Sequence, residues 1–530
     1  MTSDAARAEE LVEQAIAAVN RSALDEAEAL CNRALEEAEV PRAYFVRGFI
    51  AHLQRRHGAA VADCATAAAK GVDDWQNFLT LGKSYMALRQ AAPAYDALLQ
   101  AVRRNPRHPD AAIRLLRMAL MHRGGEHAAE LYRELFAAQG MREVDDAWLA
   151  LALRMRIPVE TPPHARTAPQ DTALRWAERS GVEVLRLGEA EAVPVQAIGQ
   201  DTVEYVHGNV PYVVDLPDVE VFAYSHVVLT SDGFALNEAG GHAEYGRFVD
   251  HRADAAVIGH TEDTLYLRTD AYRMESLDEA VWLAGPASNE FGHWVGEFAP
   301  RLQFLEQHPA FAGRPIIVDE GMPASHLELL SMLCPNRIIP LPRLHGLRVR
   351  RLLYAPTPTF FLIHLLPDHT LPEHVACCAS VRSYRFLKER VEQALGVAPR
   401  TEAKYYLSRA NRWSRKVHNE AEVRAYLEGH GYQTVMMEDL TFTEQIRLFQ
   451  GASAIVAQNG SAMQNFIYAR PDVRLFVLTQ SNLHNLAAFN GQARALGFAP
   501  VFITGEAVDD PNYKHANYVV PLESLAPAVA

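Results

Sequence analysis

The sequence predicts an all-α repeat array followed by an α/β region built as two halves, and three observations carry that reading. Small residues recur every 34 positions through the first third of the chain: Gly48 and Gly82, then Ala60, Ala94 and Ala128, with Ala67 and Ala101 keeping the same step. From about Val203 onward, short β-branched runs alternate with helical stretches. Between Tyr405 and Asn465 a strand, a cationic loop, a helix, a second strand and a small-residue turn follow one another. An open α/β sheet builds an anion site at its carboxyl edge in that order.

The best copy of the repeat runs from Trp75 to Pro106, with Leu81-Gly82, Tyr85, Ala94, Ala101 and Pro106 at its marked positions. It resembles the tetratricopeptide repeat over about residues 8–140, in about four copies. Small residues at those offsets let paired antiparallel helices approach closely. A single repeat cannot bury its own apolar face, so residues 1–140 are expected to stack into a curved solenoid. Its concave side would take a partner or acceptor; equally, the array would only dimerise the protein or prop up the remainder.

Residues 141–200 read as a connecting segment, because Pro158, Pro162, Pro163 and Pro169 deny regular helix or central strand. Residues 201–396 read as the first α/β half. Its strand candidates begin near Val203 and continue through Tyr212–Val214, Val219–Tyr224 and Val227–Thr230, with turns at Asp215–Asp218 and Asp232-Gly233. Further candidates are Pro315–Val318, Arg337–Pro340 and Leu352–Tyr354, and a long helix is expected over Pro372–Leu395. Gly396–Thr401 is the expected hinge to the second half, residues 397–530.

Two groups of residues carry chemistry. Asn289, His293, Glu297 and Arg301 recur every four residues and form a polar stripe on one helix, while Trp294, Val295, Phe298, Leu302 and Leu305 turn inward. Trp294 reads as core. A His and a Glu one turn apart can aim a general base at a bound hydroxyl, although such a pair is more commonly a solvated surface contact. The second group is Arg409, Arg412 and Arg415 with the Asn459-Gly460-Ser461-Ala462 turn. The guanidinium groups can give bidentate donors to phosphate, and the amides at a helix start add the positive end of its dipole. Asn419 and Glu420 fit an N-cap and first turn as well as they fit a ligand contact. Gln445 reads as structural, and Asn465 as a buried residue fixing the turn.

The chain bears a formal charge of −14, so those cations are a local concentration, and nucleic acid is not expected as a main partner. The cysteines Cys31, Cys64, Cys334, Cys377 and Cys378 form no C-x-x-C pair, which fits a reducing compartment and no zinc site. The start, Met1 to Glu10, is polar and acidic, not a signal peptide, and no run approaches the ~20 apolar residues of a membrane span. A cytoplasmic location is the expectation.

The string from Asn289 through His293-Trp294 and Glu297 to Pro300-Arg301-Leu302 resembles the signature of glycosyltransferase family 61. The later run from Tyr406-Leu407-Ser408-Arg409 through Arg415, Asn419-Glu420, Leu440-Thr441 and Glu444-Gln445 to Asn459–Asn465 is similar to the rest of that pattern. The likeness spans about residues 200–505. It implies two Rossmann-like lobes of the GT-B type behind an all-α tetratricopeptide solenoid. It also implies inverting transfer from a nucleotide sugar, expected to be a UDP-sugar, with no other cofactor. Glu297 is the first choice of base, with His293 orienting it or substituting for it, and Asn289 and Arg301 are expected to meet the acceptor. Arg409, Arg412, Arg415, Asn419, Glu420, Glu438, Asn459, Gly460, Ser461, Ala462 and Asn465 are expected to hold the donor, with Glu420 and Glu438 at ribose or base or serving as plain helix caps. No D-x-D occurs, which removes the commonest carboxylate pair for a metal-bridged diphosphate, so metal-independent catalysis is expected. One departure stands out: family members usually carry His-Gly-Ala where this chain has Asn459-Gly460-Ser461, which gives up a titratable imidazole. The acceptor is read as a protein Ser or Thr recruited by the repeats. The alternatives are a glycan acceptor in capsule or exopolysaccharide assembly, and a non-catalytic repeat scaffold with a degenerate transferase domain. A homo-oligomer is possible in each case.

Overall fold

The small residues of the 34-residue series lie where helices touch. A Cβ on Gly48 would stand 2.6 Å from Cys64 Sγ, and one on Gly82 would stand 2.7 Å from Leu98 Cγ. Both contacts join the two helices of one pair, among α1 Ser3–Asn20, α2 Leu24–Glu37, α3 Pro41–Leu53, α4 His57–Ala69, α5 Trp75–Ala87, α6 Ala91–Arg104, α7 Pro109–Arg123, α8 Gly125–Leu135 and α9 Arg142–Arg154. Ala60, Ala67, Ala94, Ala101 and Ala128 are fully buried in the same seams. The computed structural model describes residues 3–241, 246–359, 364–366, 378–409, 415–480, 486–508 and 516–530. It divides into two units, Met1–Pro163 and His164–Ala530.

The first unit runs past residue 140. Within the segment read as a connector, α9 buries Val144, Trp148, Leu149 and Ala152, and Trp148 stacks on Tyr132 with ring centroids 5.2 Å apart. Its apolar spacing is helical, and the prolines begin only at Pro158, after the helix has ended. Among the described residues no helix is long and apolar enough to cross a membrane.

The second unit carries two large sheets. The first contains β1 Arg166–Asp171, β2 Val184–Arg186, β5 Tyr212–Phe222, β6 Val228–Thr230, β7 Ala235–Leu236, β8 Val257–His260, β9 Thr264–Leu267, β10 Arg273–Trp282, β11 Ile316–Asp319, β12 Ile338–Leu341 and β13 His345–Tyr354. β3 Ala192–Gln196 and β4 Val203–His207 form a separate hairpin. So the stretch from residue 164 to 200, also read as connector, starts the α/β unit. Pro169 sits in β1, paired to Thr264 on the neighbouring strand. The sheet is mixed: β12, β11, β10 and β13 run parallel, then β13 turns antiparallel to β5.

One expected turn is absent. β5 continues through Asp215–Asp218, and Pro217 pairs with Arg351. The carboxylate of Asp215 is neutralised in place by Arg314, at 2.8 and 2.9 Å, and by Arg351, at 2.8 and 3.1 Å. A paired charge can sit in a strand that an unpaired one would end. The turn at Asp232-Gly233 does form, joining β6 to β7. Of the long helix expected over Pro372–Leu395, the described part is Val381–Leu395, capped by Ser380 and closed at Gly396; the residues before 378 lie outside the described set.

The second sheet holds β14 Lys404–Ser408, β15 Tyr432–Met436, β16 Ala454–Gln458, β17 Arg474–Gln480, β18 Val501–Ala507 and β19 Tyr518–Val519, in the order β15-β14-β16-β17-β18-β19. The first five are parallel. Counted in chain order their arrangement is 2-1-3-4-5, so the winding direction reverses between β14 and β16, and ligands of such sheets bind beyond the carboxyl ends there. The two sheets share one apolar core: Val281, Leu283 and Leu353 of the first join Leu407, Ala457 and Val477 of the second through Trp294, Phe298, Phe442 and Phe466.

Candidate active site

Arg409 leaves the end of β14 and Asn459-Gly460 leave the end of β16, side by side at that reversal. Gly460 has extended backbone, φ 176°, which any residue adopts. Its lack of a side chain matters for a different reason. A Cβ there would lie 1.3 Å from Arg409 Nη1, because the guanidinium rests on the glycine and donates to Asn459 O at 3.2 Å. Ser461–Tyr468 follows as a 3₁₀ helix. Arg415 stands on the same edge in left-handed backbone, φ 55°. Burial pushes the Tyr518 phenol well above its ordinary range, and the charges of Arg409 and Arg415 both pull the other way. Neither is splayed toward bulk water; both are half-buried. Arg412 lies outside the described residues.

The other donor-side candidates divide. Glu420 is drawn inward, accepting from Ser408 Oγ at 2.6 Å, Tyr406 Oη at 3.1 Å and Gln458 Nε2 at 2.9 Å. It ties β14, β16 and the helix Glu420–Gly429 together. Asn419 exchanges two hydrogen bonds with the backbone of Val520, at 2.9 and 3.0 Å, and makes no side-chain cap. Asn465 is fully buried and donates to Gln445 Oε1 at 2.9 Å; Gln445 in turn donates to Met437 O and Leu440 O. That chain fixes the loop after β15, on which Glu438 is exposed at the same sheet edge. Asn459 keeps its backbone on Leu478 O, while its buried Nδ2 finds no partner among the described residues. Ala462 packs against the shared core.

The polar stripe is carried by an irregular helical stretch. Phe291–His293 is α-helical, Trp294–Phe298 forms a π turn, and Ala299–Arg301 a 3₁₀ turn. Pro300 explains the break, since it has no N–H to give back to the preceding turn. π turns inside helices are frequent at functional sites. Asn289 is exposed in the turn before this stretch. Beyond it the stripe points inward: Glu297 is 2% and Arg301 4% exposed. His293 Nδ1 lies 2.5 Å from Glu297 Oε2, and His293 is the more exposed of the two. The start of the stretch meets the second sheet: a Cβ on Gly292 would stand 3.4 Å from Ser461 Oγ. The two motifs, about 170 positions apart in sequence, are therefore in contact.

Glu297 and Arg301 also line a cavity walled by His226, Glu238, His251, Asp254 and Tyr354. Burial pushes the Asp254 carboxyl up to about 6, against hydrogen bonds from Ser225 and the amides of His226 and Ala256. Burial likewise raises Glu238, which accepts from the Ala173 amide and Tyr212 Oη, both at 2.8 Å. Burial, with the charges of Arg301 and His293, holds the His226 imidazole down at about 3. Asp319, at the end of β11, gathers the wall loops by accepting from Tyr224 N, Gly285 N and Ser288 Oγ. Sequence reasoning missed His226, Glu238 and Asp254. The available signal was polar residues in the short loops that flank buried strands: His226 lies between β5 and β6, Glu238 just after β7 and Asp254 just before β8. Among the described residues no group of three or more His, Cys, Asp or Glu side chains is placed to hold a metal ion.

Comparison with known proteins adds a family. Residues 291–476 match the model described as Glycosyltransferase 61, which runs from the helical stretch into β17. No curated protein matches the chain. Similar solved structures include "MamA 41-end from Desulfovibrio magneticus RS-1", 20% identical over 25% of this chain and 77% of that one, TM-score 0.23. YrrB, described as a TPR protein with an unusual peptide-binding site, is 18% identical over 26% and 75%, TM-score 0.24. A thermophilic TPR protein of Thermus thermophilus, TTC0263, is 19% identical over 28% and 82%, TM-score 0.23.

Proposed function

With a glycosyltransferase 61 domain at residues 291–476 as the premise, we propose that the protein is an inverting, metal-independent transferase of the GT-B kind. It moves a sugar from a nucleotide sugar, a UDP-sugar by expectation, to a hydroxyl acceptor. The second sheet is its donor lobe and the first its acceptor lobe. One observation carries the reading: the Arg409 guanidinium rests on the Gly460 turn where the second sheet reverses its winding, against the stretch that bears His293 and Glu297. Guanidinium groups and backbone amides at that point supply what a departing diphosphate needs, charge stabilisation in a fixed geometry.

The base is the His293–Glu297 pair. Glu297 is the buried member and His293 the more exposed one, so the carboxylate orients the imidazole and the imidazole meets the acceptor, His293 taking the part that the sequence reading gave first to Glu297. The acceptor oxygen loses its proton to this pair and attacks the anomeric carbon opposite the phosphate. The carbon–phosphate oxygen bond breaks, and the nucleoside diphosphate leaves with both electrons. Of the remaining candidates, Glu438 and the Asn459 amide stay available to the nucleotide, whereas Glu420, Asn419 and Asn465 serve the scaffold.

The test is a panel of nucleotide sugars and nucleoside diphosphates, read by thermal shift and by mass spectrometry. One nucleotide should raise Tm in the wild type and fail to in Arg409→Ala. His293→Ala and Glu297→Ala should keep that shift and lose turnover by about 10²–10⁴-fold. A panel in which no nucleotide moves Tm overturns the reading.

A further inference from the structure

Arg301 is buried to 4% exposure, yet among the described residues no carboxylate forms an ion pair with it. Its Nε donates to Glu297 O at 3.2 Å, and its guanidinium lies over the Phe298 ring, 5.1 Å from the centroid. Its charge is felt by His226, Glu238 and Tyr354, so the fork stands at the cavity those residues enclose. The acidic groups of the wall are already served. Glu238 is held by the Ala173 amide and Tyr212, Asp250 by the Arg252 amide and guanidinium, Asp254 by the His226 and Ala256 amides, and Glu297 by His293. Buried charges are ordinarily paired, because desolvation without a partner is costly. The terminal guanidinium nitrogens here have donors to spare and a cavity in front of them.

We propose that this cavity takes an oxyanionic group carried by the acceptor, a carboxylate or a phosphate monoester, gripped by the Arg301 fork. The planar guanidinium matches either group with two parallel hydrogen bonds, which a lysine cannot do. The proposal rests on reading this cavity as the acceptor side of the transferase, and it names the acceptor's chemistry. It is separate from the diphosphate site. Arg301 lies nine residues beyond Gly292, which touches the Gly460 turn, and that is roughly 13 Å at the helical rise.

Calorimetric titration of the full chain with glucuronate, glucose 6-phosphate, glucose and UDP separates the possibilities. At least one of the two acidic sugars should bind at least tenfold more tightly than glucose, and which one does so identifies the group as carboxylate or phosphate. Arg301→Met should cost that ligand at least tenfold, while Arg409→Ala leaves it unchanged. UDP should show the opposite pattern. Arg301→Lys, which keeps the charge and loses the fork, guards against a Met variant that fails to fold, and it too should weaken the acidic sugar. The proposal is overturned if glucose binds as well as both acids, or if neither Arg301 variant changes the anion affinity. Failure of UDP to bind, with Arg301-dependent anion binding intact, would remove the donor reading and leave the cavity standing.

Discussion

At the scale of single residues, glycine at 460 is required by an arginine. Its backbone would accept any residue; its missing Cβ makes room for the Arg409 fork. The obstructed atom is the tip of a flexible side chain, so the fold should tolerate a methyl there while the arginine is pushed aside. Gly460→Ala is therefore expected to hold Tm within about 1 °C of the wild type, a change of about 1 kcal/mol or less. It should nevertheless weaken nucleoside diphosphate binding at least as much as Arg409→Ala does. A large loss of Tm with nucleotide binding retained would show that the glycine is structural only.

At the scale of elements, the opposite kind of glycine holds the halves of the α/β unit together. The β3–β4 hairpin lies on the helix Leu486–Ala495, where Asn490 Nδ2 donates to Gln196 O at 2.9 Å. A Cβ on Gly491 would stand 2.3 Å from Pro194 O and 2.8 Å from Val195 Cα. Those are backbone atoms, and they cannot step aside without moving the hairpin. Gly491→Ala should cost about 1–3 kcal/mol by overpacking. Limited proteolysis should then cut within residues 190–207 faster than it does in the wild type. Equal stability of the two proteins would remove the hairpin from the account of how the sheets are held.

At the scale of the whole molecule, buried imidazoles set the response to acid. His226 is held down at about 3, and His326, buried beside Phe291 and Trp294, at about 4. Both folded values are below the unfolded value near 6.5, so their stability is complete above pH 6.5 and drains away as pH falls toward 4 and 3. Asp254, raised to about 6, works in the other direction: its contribution is complete below about 3.8 and is lost as pH rises through 6. Between pH 7 and 5 the two imidazoles together outweigh the carboxyl, so Tm should fall with acid. His326→Phe should recover roughly 2 kcal/mol of that fall at pH 5, measured by denaturant titration at both pH values. The repeats enter at this scale as well. Removing residues 1–163 is expected to abolish modification of a protein acceptor while sparing slow hydrolysis of the donor; undiminished protein modification would end the recruitment idea and favour a glycan acceptor.

Periodicity and local chemistry in the sequence were enough for the helix pairs, the strands β14 and β16, the Asp232-Gly233 turn and the inward packing of Trp294 and Phe298, because each depends on residues within a few positions of one another. The extent of the repeat unit was misjudged at α9, where the prolines that follow the helix outweighed its own apolar spacing. Tertiary structure decided what no local pattern encodes. It kept β5 continuous through Asp215 by bringing Arg314 and Arg351 to it, and it turned Glu420 and Asn419 into fasteners between elements. It also buried Glu297 and Arg301 in one wall with His226, Glu238 and Asp254. A side chain's neighbours across the fold fix its charge, its partners and its access to a ligand, and those neighbours are distant in the chain.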